Sequence, residues 1–193
     1  MSAITYDRAL AAVRSRLSAG AASHSERVGE LAADLAGVYG VNPAEARLAG
    51  LLHDWHRETG SSELLERAGD VGVTVTEIDE AVPYLLHAPI AACDLAAEFP
   101  GIGSDITSAV GAHTYGAPQM SALAKTVYVA DVIEPSRGSE HAAELRAAVG
   151  KVTLDELFAR TYTASLVHLI ETRRRLHPVT VEVYNRYVAG VRP

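Results

Sequence analysis

Residues 28–38 of the chain read VGELAADLAGV. The large apolar residues of this stretch recur every three or four positions, at Val28, Leu31, Leu35 and Val38. Residues at this spacing lie on one face of an α-helix. Ser23 followed by Glu26 forms the capping-box pattern that begins a helix, and Gly40 suits its end. We therefore predict an amphipathic helix between Ser23 and Gly40.

The same helical period continues along most of the chain. Asn42-Pro43 is typical of a helix start and predicts a second helix that runs toward His53. Later helical segments are predicted over residues 63–67, 83–99, 104–113, 121–133, 139–149 and 153–176, separated by Gly and Pro. Residues 71–75 alternate like a strand but are too few to build a sheet. We predict one all-α domain of seven to nine helices over residues 1–193, with the tail after residue 179 either helical or extended.

Composition limits the classes of function. The chain has 193 residues, of which 48% are hydrophobic and 21% charged, enough for one domain with its own core. A net charge of -7 argues against broad binding to nucleic acid or to an anionic membrane. The single Cys93 excludes an intrachain disulfide and a site built on several thiolates. No signal peptide or membrane-spanning segment is evident, so a cytoplasmic protein is expected.

Several polar residues occupy positions where a helical core expects apolar side chains. His24 and His113 lie on apolar helix faces, His53-Asp54 follows an apolar run, and Asp131 interrupts the run Val127 to Ile133. A lone inward histidine is usually a core residue with a hydrogen-bond partner. A buried carboxylate is costly unless it is paired or bound to a metal, and a divalent cation satisfies carboxylates and imidazoles together. This thiolate-free set suits iron(II), manganese, zinc or cobalt.

The order His24, His53-Asp54, Asp131 resembles the H…HD…D signature of the HD superfamily of metal-dependent phosphohydrolases. Further blocks resemble the YqeK family within that superfamily: His87-Ala88-Pro89, His113-Thr114, Gly116, Met120, residues 128–137 and Tyr184-Asn185. The resemblance extends over residues 23–187. It implies an all-α HD-domain bundle and a symmetrical diadenosine tetraphosphate hydrolase that produces two molecules of ADP.

The resemblance also implies roles for individual residues. His24, His53, Asp54 and Asp131 would hold a first metal, with Asp54 as a bridging ligand, and His87 and His113 would complete a second metal site or contact phosphate. The implied centre is di-iron, with manganese, cobalt or zinc as alternatives. Substrate contacts are expected from the residues Arg27, His87, His113, Thr114, Gly116 and Arg137, and Arg57 is expected to assist catalysis beside Asp54, His87 and His113.

Alternatives remain open at this point. Each of the three arginines could instead be a solvated surface residue, and His56 could be a surface residue or an extra proton donor. Tyr115 and Ala117 replace a hydroxyl and a cation that are common in the family. His141, His168 and His177 match no family position and are interpreted as structural or solvated. Another HD activity, on a mononucleotide or a guanosine polyphosphate, and a non-catalytic nucleotide sensor are the competing functions, and a homodimer is also left open.

Overall fold

A computed structural model describes residues 4–138 and 140–189. Over these residues the chain forms eleven α-helices and no strand. The helices are α1 (Tyr6–Arg16), α2 (Ala19–Tyr39), α3 (Pro43–Leu52), α4 (Ser61–Asp70), α5 (Glu77–Ala81), α6 (His87–Glu98), α7 (Ser104–Gly111), α8 (Ala122–Ile133), α9 (Glu140–Ala148), α10 (Leu154–Glu171) and α11 (Pro178–Val183). A 3-10 turn, Pro83–Leu86, precedes α6, and a π-helical turn, Tyr184–Val188, follows α11. The all-α prediction is confirmed.

Helix α8 forms the centre of the bundle, packed against α2, α3, α7, α9 and α10. Residues on every side of it are buried, which explains why its sequence is almost continuously apolar. A carboxylate on such a helix must lie among other buried groups, and Asp131 occupies its last turn. None of the helices formed by the described residues is long and apolar enough to cross a membrane.

Two glycines allow α2 and α3 to approach closely. A Cβ atom at Gly50 would lie 2.8 Å from Cα of Gly29, and one at Gly29 would lie 2.8 Å from the Arg47 carbonyl oxygen. Real Cβ atoms do not tolerate such contacts, so any larger residue would force the helices apart. The crossing brings His24 on α2 beside His53, the residue that caps the C-terminus of α3.

The start of α2 differs from the prediction. The helix begins at Ala19 because the Ser18 hydroxyl accepts a hydrogen bond from the Ala21 amide, and Ser23 lies inside the helix. Gly40 ends the helix as predicted, in the left-handed conformation at φ 70°. Val38 is 52% exposed and does not share the buried face. Each residue of an α-helix is rotated by about 100° from the one before, so the side chain of Val38, ten residues after Val28, points roughly 80° away from that of Val28.

Other helix boundaries also differ from the predicted ones. The helix predicted over residues 83–99 is divided before His87, because Pro89 has no amide hydrogen for the carbonyl of Leu85 and is tolerated only in the first turn of a new helix. The helix predicted to reach residue 176 ends at Glu171, where Arg173 adopts a positive φ of 54° and the Arg174 amide donates to the Leu169 carbonyl. The predicted helix over 139–149 begins at Glu140 among the described residues.

Candidate metal centre

Four predicted ligands meet at the crossing of α2, α3 and α8. Nε2 of His24 lies 3.0 Å from Oδ1 of Asp131 and 3.6 Å from Oδ2 of Asp54. Nε2 of His53 lies 3.1 Å from the same Asp54 oxygen. The ligand atoms of His24, His53 and Asp131 all lie within 4.8 Å of one another, a spacing that a single metal ion can span.

A second group of imidazoles faces the other oxygen of Asp54. Nε2 of His87, the first residue of α6, lies 3.5 Å from Oδ1 of Asp54, and Nε2 of His113, just after α7, lies 3.7 Å from it. The two Nε2 atoms are 3.0 Å apart. Asp54 therefore presents one oxygen to each histidine group, which is the arrangement of a carboxylate that bridges two metal ions.

Backbone carbonyls fix the orientation of three of these histidines. The Nδ1 atom of each ring donates to the carbonyl oxygen three residues earlier: His53 to Gly50 at 2.7 Å, His87 to Tyr84 at 2.6 Å and His113 to Val110 at 2.7 Å. In the neutral form of each ring the proton is on Nδ1, and the Nε2 lone pair is then directed at the centre. Hydrogen bonds of this kind set the tautomer and ring orientation of metal-binding histidines.

Glu134 orients the fourth histidine and was not among the predicted site residues. It is fully buried, and its Oε1 lies 3.4 Å from Nδ1 of His24. Its Oε2 accepts from Arg27 Nε at 2.9 Å and from the Ser136 amide at 3.0 Å, and the Ser136 hydroxyl donates to Oε1. Besides its place in the family block of residues 128–137, the sequence signal for this role is an acidic residue directly after the apolar run of α8.

The buried acids and histidines of the centre shift one another's pKa. Burial alone would lower the pKa of His53, but the carboxylates of Asp54 and Asp131 raise it to about 9. Burial opposes ionisation of Asp54, yet His53, His113 and His87 hold the pKa of this carboxyl well below its usual range. The pKa of His113 is lowered, chiefly by burial. Asp54 and Asp131 are therefore ionised. A metal cation that binds beside them would replace the proton of His53.

The donor set fits a divalent metal. Among the described residues, Nε2 of His24, Nε2 of His53 and Oδ1 of Asp54 are buried polar atoms without a hydrogen-bond partner. Buried polar atoms are normally paired, and these three all point toward the same space. Nitrogen and oxygen ligands without a thiolate suit iron(II), manganese, cobalt or zinc.

Two of the three predicted arginines reach the centre. Arg57 donates to Oδ2 of Asp54 at 2.7 Å, and Arg137 donates to Oδ1 of Asp131 at 3.1 Å. Neither is the free surface residue of the alternative interpretation, although Arg57 is about one-third and Arg137 somewhat less than half exposed. Arg27 is instead engaged by Glu134 and also donates to the Ser136 hydroxyl.

A cavity of about 600 Å³ opens beside the centre. Its walls include Arg57, Arg137, His87, His113 and Thr114, all predicted site residues. Helices α9 and α10 supply a further part of the wall, with His141, Leu145, Ala164, Val167 and His168, and Val132 of α8 lies beside them. His141 and His168 are exposed, in line with their solvated interpretation, but they also border this cavity.

Gly116 is not among the residues that line this cavity. It adopts φ +82°, and a Cβ atom there would lie 2.9 Å from Val183 of α11. It therefore makes a tight turn against the C-terminal segment. His177 is buried there, with its ring stacked on Tyr115 at 4.1 Å between centroids.

The surface interpretation of His56 is wrong. Only 5% of this residue is exposed, and its Nε2 donates to Oδ2 of Asp94 at 2.8 Å. Burial is the largest influence on the pKa of His56 and lowers it, against the opposing effect of Asp94. The residue faces away from the cavity, packed between α1 and α6.

Taken together, the helical bundle and its paired His/Asp groups beside a cavity that contains two arginines define a metal-dependent hydrolase of the all-α type. The model of the HD domain family matches residues 21–136, and the chain belongs to this family. HD-domain hydrolases depend on metal ions, and the cluster described above can hold one.

Curated relatives cover nearly the whole chain. The chain is 29% identical over 184 residues to a protein of Bacillus subtilis (strain 168) named "Bis(5'-nucleosyl)-tetraphosphatase, symmetrical", covering 95% of this chain and 98% of that protein. A protein of the same name from Staphylococcus aureus is 27% identical over 168 residues, with 86% and 85% covered. The predicted resemblance is confirmed.

A solved structure shares the fold. The chain superposes on a predicted HD superfamily hydrolase involved in NAD metabolism from Clostridium acetobutylicum with a TM-score of 0.86. The two sequences are 31% identical, and the match covers 95% of this chain and 97% of the other. The HD-domain bundle predicted from the sequence is therefore confirmed.

Proposed function

We propose that this protein hydrolyses diadenosine tetraphosphate symmetrically, to two molecules of ADP, with the help of two metal ions. The observation that carries the proposal is the position of Asp54, which faces two histidine groups with different oxygens beside a cavity that also contains Arg57 and Arg137. The names of the relatives from Bacillus subtilis and Staphylococcus aureus support the choice of substrate.

In this proposal each ion has its own set of ligands. His24, His53, Asp131 and Oδ2 of Asp54 would hold the first, and His87, His113 and Oδ1 of Asp54 would hold the second. Iron is the metal implied by the family resemblance, and the donor set accepts manganese, cobalt or zinc as well. When bound, such ions supply Lewis acidity, which makes water nucleophilic at neutral pH and neutralises charge on phosphate oxygens.

The arginines bind and orient the phosphate chain. Arg57 and Arg137 border the cavity and approach the ligand oxygens of Asp54 and Asp131. A guanidinium can donate two parallel hydrogen bonds to a phosphate, and such charge-assisted bonds grow stronger as the oxygens gain charge in the transition state. Thr114, whose hydroxyl lies 3.5 Å from Nε2 of His113, adds a donor on the same wall.

The size of the cavity fits half of the dinucleotide. Pockets for ligands of this size have volumes of roughly 300–1,000 Å³, and the cavity of about 600 Å³ lies in that range. One ADP half would lie in it, and the other would extend toward solvent. Water adds to one of the two central phosphorus atoms, the bond from that phosphorus to the central bridging oxygen breaks, and each product leaves as ADP.

Product analysis tests the proposal. Metal-loaded protein is incubated with diadenosine tetraphosphate, a guanosine polyphosphate and mononucleotides, and the products are separated by chromatography. We expect ADP alone from the dinucleotide. The Asp54→Ala variant should lose more than about a hundredfold in rate because its metal site is incomplete, whereas the exposed Asp70→Ala variant serves as the matched control.

Three results would contradict the proposal. ATP plus AMP as products would show asymmetric cleavage. Faster turnover of a mononucleotide or of a guanosine polyphosphate than of the dinucleotide would favour another HD activity, and binding of nucleotides without any turnover would indicate a sensor.

A further inference from the structure

The turn that carries Asp54 is not part of a regular helix. Helix α3 ends at Leu52, and the following residues are joined by three short backbone bonds: Trp55 to Leu52, Arg57 to Asp54, and Thr59 to His56. Such single turns leave the backbone less constrained than a continuous helix does. Residues 53–59, called the HD turn below, therefore depend on side-chain contacts for their position.

Those contacts lie on the side of the HD turn that faces away from the cavity. Arg16 at the end of α1 donates through Nε to the Trp55 carbonyl at 2.8 Å, and its guanidinium lies 4.8 Å from the Trp55 ring centroid. Another nitrogen of Arg16 lies 3.1 Å from Nδ1 of His56, and the Thr59 hydroxyl lies 3.0 Å from the same Nδ1.

These contacts define the hydrogen-bonding state of His56. A guanidinium nitrogen can only donate, so Nδ1 of His56 is the acceptor and Nε2 carries the proton. Nε2 then donates to Asp94 at 2.8 Å, and Arg67 of α4 holds Asp94 from the other side at 2.6 Å. The imidazole thus links α1 to α6 through the HD turn.

Asp94 and His87 lie on the same helix, seven residues apart. Seven residues make about two turns, so both side chains are on one face of α6, about 10 Å apart along its axis. His87 reaches the metal centre, and Asp94 reaches His56, which is two residues from Asp54. The contacts close a ring that runs from Asp54 through His56, Asp94 and α6 to His87.

We propose that His56 is a positioning residue of this enzyme: its bond to Asp94 sets the distance between Asp54 and His87 and so shapes the second metal site. This inference rests on the two-metal centre of the proposed function. Loosening the bond would move His87 relative to Oδ1 of Asp54. His24 and Asp131 would stay in place on α2 and α8, and His53, the first residue of the HD turn, would keep its bond to the Gly50 carbonyl at 2.7 Å. The second ion would be weakened selectively.

Two substitutions separate the bonds of His56. The amide of His56→Gln extends as far as Nε2 and can still donate to Asp94, whereas the shorter His56→Asn retains a group only near Nδ1. From the cost of losing outer hydrogen bonds at metal sites, we expect His56→Asn to bind the second ion about tenfold or more weakly, with the first ion unchanged. His56→Gln should recover most of the difference.

A second pair of variants tests the link from the side of α6. Asp94→Ala breaks the same bond and should give the same selective loss. Asp70→Ala is the matched control, because Asp70 also pairs with Arg67, at 3.6 Å, but does not reach His56. This control should bind both ions like the wild-type protein.

Calorimetric titration of metal-free protein with Co²⁺ alone gives the affinity and stoichiometry of both sites, and circular dichroism confirms that each variant is folded. If wild-type protein binds two ions and the folded His56→Asn and Asp94→Ala variants bind both with unchanged affinity, the positioning role is wrong. An equal loss at both sites, or in His56→Gln as in His56→Asn, would show a merely structural role. If the wild-type protein binds no second ion, the proposed two-metal function itself fails.

Discussion

Replacement of Glu134 by Gln should damage both stability and metal binding. The carboxylate of Glu134 receives Arg27 Nε and the Ser136 amide on Oε2, and the Ser136 hydroxyl and Nδ1 of His24 lie at Oε1. Glutamine can offer its single oxygen to the two N–H donors at Oε2. Its NH2 group would then face Nδ1 of His24 and would favour the tautomer that carries its proton on Nε2, the atom needed for metal.

The magnitude follows from the contacts. Glu134 is fully buried, but Arg27 is 40% exposed, so the loss is smaller than for a fully buried ion pair. A hydrogen bond to a charged group contributes roughly 1.5–3 kcal/mol, so we expect Glu134→Gln to lower the free energy of unfolding by about 2–3 kcal/mol. For a chain of this length this corresponds to about 5–10 °C in Tm. Metal affinity should fall about 10- to 100-fold.

Glu26→Gln is the matched control, since it breaks an exposed bond between Glu26 and Arg14 of 2.8 Å. Exposed pairs contribute less than about 1 kcal/mol. Thermal and guanidinium unfolding of metal-free protein, followed by circular dichroism, measure stability, and titration with Co²⁺ measures affinity. If Glu134→Gln unfolds like Glu26→Gln and binds metal like the wild-type protein, Glu134 does not orient His24.

Three further outcomes are expected. Arg137→Ala should lower kcat/KM about ten- to a hundredfold with metal content unchanged, whereas Arg27→Ala should mainly lower Tm in unfolding experiments; unchanged kinetics in Arg137→Ala would contradict a phosphate contact. Dialysis against a chelator should abolish hydrolysis and addition of Mn²⁺ or Fe²⁺ should restore it, as measured by ADP release, and full activity of metal-free protein would refute the metal requirement. Burial opposes ionisation of Asp94, but Arg67 and His56 lower its pKa below the ordinary 3.8. The ionised carboxylate therefore stabilises the folded protein above pH about 3.8, and this effect is lost as the pH falls through the lower pKa of the folded state. The difference in unfolding free energy between wild-type protein and Asp94→Asn should shrink in strong acid, and a difference independent of pH would contradict this.

The sequence predicted the helices whose apolar period is long, because one buried face is enough to mark a helix. It placed the start of α2 at Ser23 instead of Ala19, since Ser18 and Ser23 both have side chains that can cap a helix. Short elements such as α5, α11 and the 3-10 turn before α6 are stabilised by caps and tertiary contacts, so periodicity alone does not reveal them.

The metal-site residues were visible in the sequence for a physical reason. Polar groups in apolar runs are costly, and His53, Asp54 and Asp131 stand out on that ground alone. The supporting residues carry no such mark: Glu134 follows a helix, His56 is next to an aromatic residue, and Asp94 reads as an ordinary helix-surface acid. Their roles depend on partners far away in the chain, which only the folded structure brings together.

The contact between Gly29 and Gly50 has a consequence for the order of folding. Helices α2 and α3 are joined by the short segment from Gly40 to Asn42, so their association closes a small loop and costs little chain entropy. His24, His53 and Asp54 can therefore come together early, whereas Asp131 arrives only when α8 docks across a much longer loop. A metal ion that needs Asp131 binds after this late step, so we expect it to stabilise the protein mainly by slowing unfolding and to leave the folding rate nearly unchanged.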